Sequence, residues 1–398
     1  MMFGGAAGVR DEVGFLIVHQ RYADRFFPGT SVLHTRLRYA LLIPWLYQSL
    51  RTKRPVPKDF GQAFSDLEHE LTGRLKYIEG VGGEKDGVIG GEVFPRTISQ
   101  PPAYVYWTAL TKWGLIGARP DGRPWSRSDM AKLLAASSKR AHHDDDGKPL
   151  ETVTWPIAGL IDAPKGWDTW GDWNDRYSKD DQGKLALDLL PQEQIYLATK
   201  LRAVRSPTDP SEPSLLSKLV GKSLGEADHC WDNEILALAG REAAMLKRAG
   251  QAAALSAIGR AIYAAQVETL KETRDKRPQP NLHRAALNDA IEQWGKQAAR
   301  LDMDLFLAEI GHLPPAVEGV LKETSTWIRA NGKDPMQLLE VYARAEVSRK
   351  DNRARLASNQ FGVDRRMEWQ GEHHGRAEPL HYRWGNVKRL LRDLEDVA

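Results

Sequence analysis

The sequence predicts a mainly α-helical, multi-domain protein. Three observations carry this. Apolar residues recur three and four positions apart in most segments, strand-like alternation is scarce, and residues 252–271 are dense in alanine. Such spacing lays one apolar stripe along a helix, and alanine has the highest intrinsic helix propensity. The length of 398 residues corresponds to two or three domains at about 100–200 residues each. A chain of this size buries roughly three quarters of its unfolded surface, so it needs neither disulfides nor metals to fold.

Val13 to Tyr22 reads as a first helix, stopping before Phe26-Phe27-Pro28-Gly29-Thr30-Ser31. Pro28-Gly29 is a turn pair, and Thr30 or Ser31 is placed to cap a second helix over 32–49. That helix spaces Leu33, Leu37, Leu41 and Trp45 along one face. A third, over 59–78, carries Phe60, Phe64, Leu67, Leu71 and Leu75, and the Gly-rich stretch 80–91 breaks the pattern. Pro101-Pro102 opens a helix over 103–113, because first-turn amides have no helical partner to lose. Asp121-Gly122 is a hairpin signal, and Ser126 or Ser128 caps a helix over 129–139. Helix, hairpin, helix in this order is compatible with a small winged-helix-like unit. These elements make an N-terminal helical domain, 1–140.

Residues 141–214 read as an irregular, loop-rich and linker region. It contains one helix, 185–204, and the proline-punctuated stretch 206–214, with Pro207, Pro210 and Pro213. A C-terminal helical domain, 215–398, follows. Its helices are expected over 235–250, 252–271, 282–299, 303–309, 316–331, 335–356 and 387–394. Asn331-Gly332 is a typical helix stop. No repeat of fixed period is present, which argues against a regular solenoid.

The single cysteine, Cys230, excludes an internal disulfide framework and fits a reducing compartment. No run approaches the ~20 apolar residues of a membrane helix, and Met1 to Arg10 lacks the layout of an export signal. A cytoplasmic protein without membrane partners is expected. Catalytic patterns are weak. No Gly-x-Ser-x-Gly elbow is present. Gly221-Lys222-Ser223 mimics the end of a P-loop without its upstream glycine. His142-His143-Asp144-Asp145-Asp146 and His373-His374 have ligand chemistry, but adjacent ligands rarely converge on one ion, so solvated loops are the plainer reading. No cofactor and no metal are expected.

Net charge is only +3, yet its distribution is uneven. Acids dominate 140–200, whereas bases dominate 344–392 and are interleaved there with Trp369, Tyr382 and Trp384. Basic side chains supply affinity for phosphates, and aromatic rings stack on exposed bases. Arg36, Arg38, Arg353, Arg355, Arg383 and Trp384 are the candidate nucleic-acid contacts. A structural role competes: Arg36 and Arg38 can clamp loops through carboxylates or carbonyls, and Tyr382 and Trp384 can pin the tail.

Phe27-Pro28-Gly29-Thr30-Ser31, Thr35-Arg36-Leu37-Arg38-Tyr39, Pro44-Trp45, Tyr106-Trp107, Trp113-Gly114, the run 346–356 and Tyr382-Arg383-Trp384 with Asn386-Val387 resemble, in the same order, an uncharacterised bacterial family known only as a domain of unknown function. The resemblance implies an origin among bacterial defence or mobile-element genes and assigns no catalytic residue. The function expected is a non-catalytic DNA-binding or assembly subunit of an anti-phage defence complex, working beside helicase or nuclease subunits. Two alternatives stand: a protein–protein adaptor without nucleic-acid contact, and a divergent metal-dependent nuclease built on Asp144 and Asp145 with His142 or His143.

Overall fold

Helix starts follow the caps the sequence offers, with one large exception. The computed structural model describes residues 11–53, 55–79, 87–138, 155–157, 159–164, 167, 185–374 and 377–395. Most of 141–184, the first part of the stretch expected to be irregular, lies outside these residues, including His142, His143 and Asp144 to Asp146. The described residues are mainly helical. Their one β-type pairing is an isolated bridge between Arg205 and Pro213. The chain divides into two compact units that interleave in sequence: the first comprises 1–23 and 225–382, the second 24–224 and 383–398.

In the second unit, helix α2 (Tyr39–Thr52) is buried on nearly every side, from Tyr39 through Tyr47. It packs against α3 (Phe60–Glu79), α4 (Pro102–Lys112) and α5 (Arg127–Ser138). Asp59 caps α3 by accepting from the amides of Gly61 and Gln62 at 2.8 and 3.0 Å. Ser126 caps α5 through the amide of Asp129 at 3.1 Å. The exception is the helix expected from residue 32, which starts at Tyr39 instead. Side chains distant in sequence take up the backbone groups of 30–38: Tyr106 Oη accepts from the Thr35 amide at 3.0 Å, and Asp393 accepts from the Leu37 amide at 2.7 Å. Amides bonded in this way have no need of a helix.

Between α4 and α5 the expected hairpin is a single turn. Gly122 donates to the Arg119 carbonyl, and the Arg119 amide donates to the Arg123 carbonyl, with no strand on either side. Pro120 and Pro124 lack the amides a ladder needs, so no wing forms there. Helix α6 (Pro191–Arg202) starts later than expected, with Pro191 in its first turn. Ser214 caps the short α7 (Leu215–Leu219).

The first unit is organised on one long helix. After α8 (Asn233–Ala239), helix α9 (Ala243–Thr273) runs for 31 residues and is buried over almost all of Ala252 to Leu270. The break expected after Gly250 does not occur. That glycine stays in the helix, and the Trp231 indole packs so closely that a Cβ there would lie 2.6 Å from it. Gly259 does the same for Phe15, at 2.2 Å. Around α9 pack α10 (Leu282–Ala299), α11 (Met303–Ile310) and α12 (Pro315–Arg329). The long helix expected over 335–356 is a 3-10 turn, Pro335–Leu338, followed by α13 (Leu339–Lys350). Asp351, at φ +48°, ends it. Then comes α14 (Gln360–Met367), which the sequence pattern did not suggest, capped by Asn359 accepting from the Gly362 amide at 3.1 Å. The last helix, α15 (Trp384–Arg392), belongs to the second unit.

Candidate functional site

Four of the six candidate contacts lie in the second unit, where internal partners hold them. Arg36 donates from Nε to Asp393 at 3.0 Å and from Nη2 to Asp188 at 2.6 Å. Burial acts to lower its pKa, and the two carboxylates outweigh that and raise it. Arg38 is deeper. It pairs with Glu193 at 2.8 Å, both side chains are 1% exposed, and its Nη1 donates to the Ala186 carbonyl. Arg383 donates to Asp24 and to the Thr30 carbonyl, each at 2.7 Å. Trp384 is 1% exposed and packs on Phe27 with ring centroids 6.0 Å apart. A ring buried in this way is not offered to a nucleic-acid base.

These contacts bring together most of the motifs on which the family resemblance rests. Asn386 donates to the carbonyls of Val32 and His34. Tyr106 Oη donates to the Arg36 carbonyl at 2.7 Å, and Trp113 Nε1 to the Pro28 carbonyl at 2.9 Å. Gly29, at φ +84°, sits where a Cβ would lie 2.8 Å from the Trp113 indole. His34 stacks on Tyr106 at 4.2 Å and faces the Val105 carbonyl through Nε2. A carbonyl only accepts, so that nitrogen carries the proton. Burial, with Arg383 nearby, brings the His34 pKa down to about 4. In this unit these residues build one clamp around 24–38.

The two remaining candidates, Arg353 and Arg355, lie in the first unit on the turn after α13. Arg355 reaches inward to Glu12 at 3.0 Å and to Tyr263 Oη at 3.3 Å. Beneath it, Glu346 accepts from Tyr263 Oη at 2.6 Å and from the Leu356 amide at 2.9 Å. Burial raises the Glu346 pKa against these bonds. Arg353 differs from the other five. It is exposed and makes no ion pair among the described residues. With Lys350, Arg355 and Arg365 it rims an open basin of about 440 Å³ that also contains Asp11, Glu12 and Glu368. Arg349, bonded to Asp11 at 2.8 Å, adds a fifth base, and Glu346, 3.7 Å from Lys350, a fourth acid. Arg365 and exposed Phe361 on α14 were missed in the sequence. The signal that locates them is the Asn359 cap.

Tyr382 and Trp369 are buried at 0% and 5% exposure. Tyr382 donates to the Ala249 carbonyl at 2.8 Å. Cys230 is fully buried, and burial pushes its thiol pKa far above the ordinary range, the opposite of a reactive thiolate. Among the described residues no three His, Cys, Asp or Glu side chains gather to hold a metal, and no helix is long and apolar enough to cross a membrane.

In comparison with known proteins, residues 3–139 fit the model of a family of unknown function, DUF6361. That span contains the motifs from Phe27 to Gly114 and ends before the C-terminal ones. No curated protein and no solved structure matches the chain.

Proposed function

We propose that this chain is a cytoplasmic, non-catalytic DNA-binding or assembly subunit, and that its polyanion contact is the basin of the first unit rather than the arginines of the second. The observation that carries this reading is Arg353, exposed and without an ion pair among the described residues, in a cluster where bases exceed acids. A phosphate at Arg353 gains a charge-assisted bond without first breaking an ion pair, whereas Arg365 would first have to release Glu368. Arg36, Arg38 and Arg383 would each have to leave a carboxylate. The setting we assign, a bacterial anti-phage complex with helicase or nuclease subunits, rests on the family resemblance.

Filter binding of duplex DNA at low salt tests the proposal. Binding that weakens on Arg353→Glu with Arg365→Glu, while the circular dichroism spectrum is kept, is the expected result. No binding at low salt, or binding indifferent to both changes, overturns it. A second reading, a protein–protein adaptor, is favoured by Val32, Leu33 and Tyr104 of the second unit, which are 51%, 40% and 49% exposed. It predicts co-purification with a neighbouring gene product and an absorbance ratio free of nucleic acid.

A further inference from the structure

Charge alone gives the basin of the first unit little grip on a polyanion. Asp11 holds Arg349, Glu12 holds Lys350 and Arg355, and Glu368 holds Arg365. Arg353 is the base of this cluster left without an ion pair among the described residues. Electrostatic affinity grows with the number of phosphates neutralised, so a single ready arginine makes a weak site. A nucleic acid held here needs a second source of affinity.

Helix α14 supplies one. It packs on the 3-10 turn that carries Arg353. Its inward side bears Gly362 and Arg366, both buried, and Arg366 holds Asp275 through bonds of 2.7 and 2.9 Å. Phe361, Asp364, Arg365 and Glu368 recur at the spacing of one helix face, and Arg365 and Glu368 of that face line the basin. Phe361 stands one turn from Arg365, a separation of about 5–6 Å between Cβ atoms. Its ring is 51% exposed and makes no ring contact among the described residues. The other described aromatic rings of the first unit, from Phe15 to Tyr382, are buried or half-buried. An open phenyl beside an unpaired arginine offers two different contacts to one ligand.

The acids on the same face decide between ligands. Asp364 and Glu368 repel a phosphate brought to the ring, whereas an uncharged base meets no such penalty. An unpaired base can lay its flat face on the phenyl while a phosphate of the same strand reaches Arg353. In a duplex each base face is covered by the next pair, so the ring finds nothing to stack on and only the charge remains. We propose, resting on the polyanion reading of this basin, that the site selects single-stranded DNA, with a base stacked on Phe361 and a phosphate at Arg353. Stacking on one aromatic side chain contributes about five- to a hundredfold in affinity per base.

Fluorescence anisotropy of the full chain at low salt tests this, with a labelled oligothymidylate of about 12 nucleotides and a duplex of the same length. The single strand is expected to bind at least about fivefold more tightly than the duplex. Phe361→Ala should remove about that factor from the single strand and leave the duplex unchanged, and Phe361→Trp should keep or raise the single-strand affinity. Arg353→Gln should weaken both ligands. Equal affinity for the two, or single-strand affinity unmoved by Phe361→Ala, overturns the selectivity while leaving the polyanion contact in place, and assigns the ring to a protein partner. Absence of binding by either ligand overturns the polyanion reading and this inference with it.

Discussion

Arg38 and Arg353 belong to equally basic stretches of sequence and meet opposite fates. Arg38 is sealed against Glu193, which lies 155 positions away in the chain. Arg353 stands in solvent on a 3-10 turn, and no carboxylate among the described residues pairs with it. A run of arginines therefore carries no message by itself. What decides the role is whether the fold brings an acid within reach. In the second unit it does so repeatedly, through Asp24, Asp188, Glu193 and Asp393. At the basin of the first unit the acids run out before the bases do.

The largest effect that sharpens this contrast is expected at the buried pair. Arg38→Met leaves Glu193 charged and enclosed, and should cost about 3–5 kcal/mol in urea denaturation. Pairing it with Glu193→Leu should recover much of that loss. If the single change costs under about 1 kcal/mol, the description of a sealed pair is wrong.

Glu68 is the buried carboxylate that lacks such a partner. Burial lifts its pKa to about 7, opposed by the Ala103 amide at 2.6 Å and by Arg127. The folded state therefore holds its proton more tightly than the unfolded chain. Its favourable contribution is complete below about pH 4.5 and is lost as pH rises through 7. Glu68→Gln keeps the acceptor and removes the charge. Thermal unfolding should show its advantage over wild type growing between pH 5 and pH 8, by up to about 3 kcal/mol. A constant difference across that window contradicts the account.

Inside the first unit, Gly259→Ala drives a methyl into the Phe15 ring and should cost about 1–3 kcal/mol by chemical denaturation. This places the rigid part of that unit beneath its tolerant surface. The smallest stability effect is expected at Arg353→Gln, within about 0.5 kcal/mol of wild type. A larger loss there would mean that the exposed arginine has an internal role after all.

The fold was readable where local signals and burial agree. Leu282–Ala299 appears with the bounds its periodicity suggests, and Ser126 caps its helix as expected. Local reading failed where distant groups intervened. Residues 32–38 look helical, but Tyr106 and Asp393 claim their amides. Gly250 looks like a stop, but Trp231 needs it as a flat seat. The candidate site was legible only in part. Basic composition pointed to both units alike, and nothing local distinguishes Arg383, reaching Asp24 from 359 positions away, from Arg353.

The salt dependence of DNA binding tests the central claim most directly. In a plot of log affinity against log salt, each phosphate contact on duplex DNA contributes a slope of about −0.9. Changing Arg353 to Gln should therefore make the slope shallower by roughly one contact, with folding intact. A slope that stays as steep as wild type would place the polyanion elsewhere on the molecule and contradict the assignment.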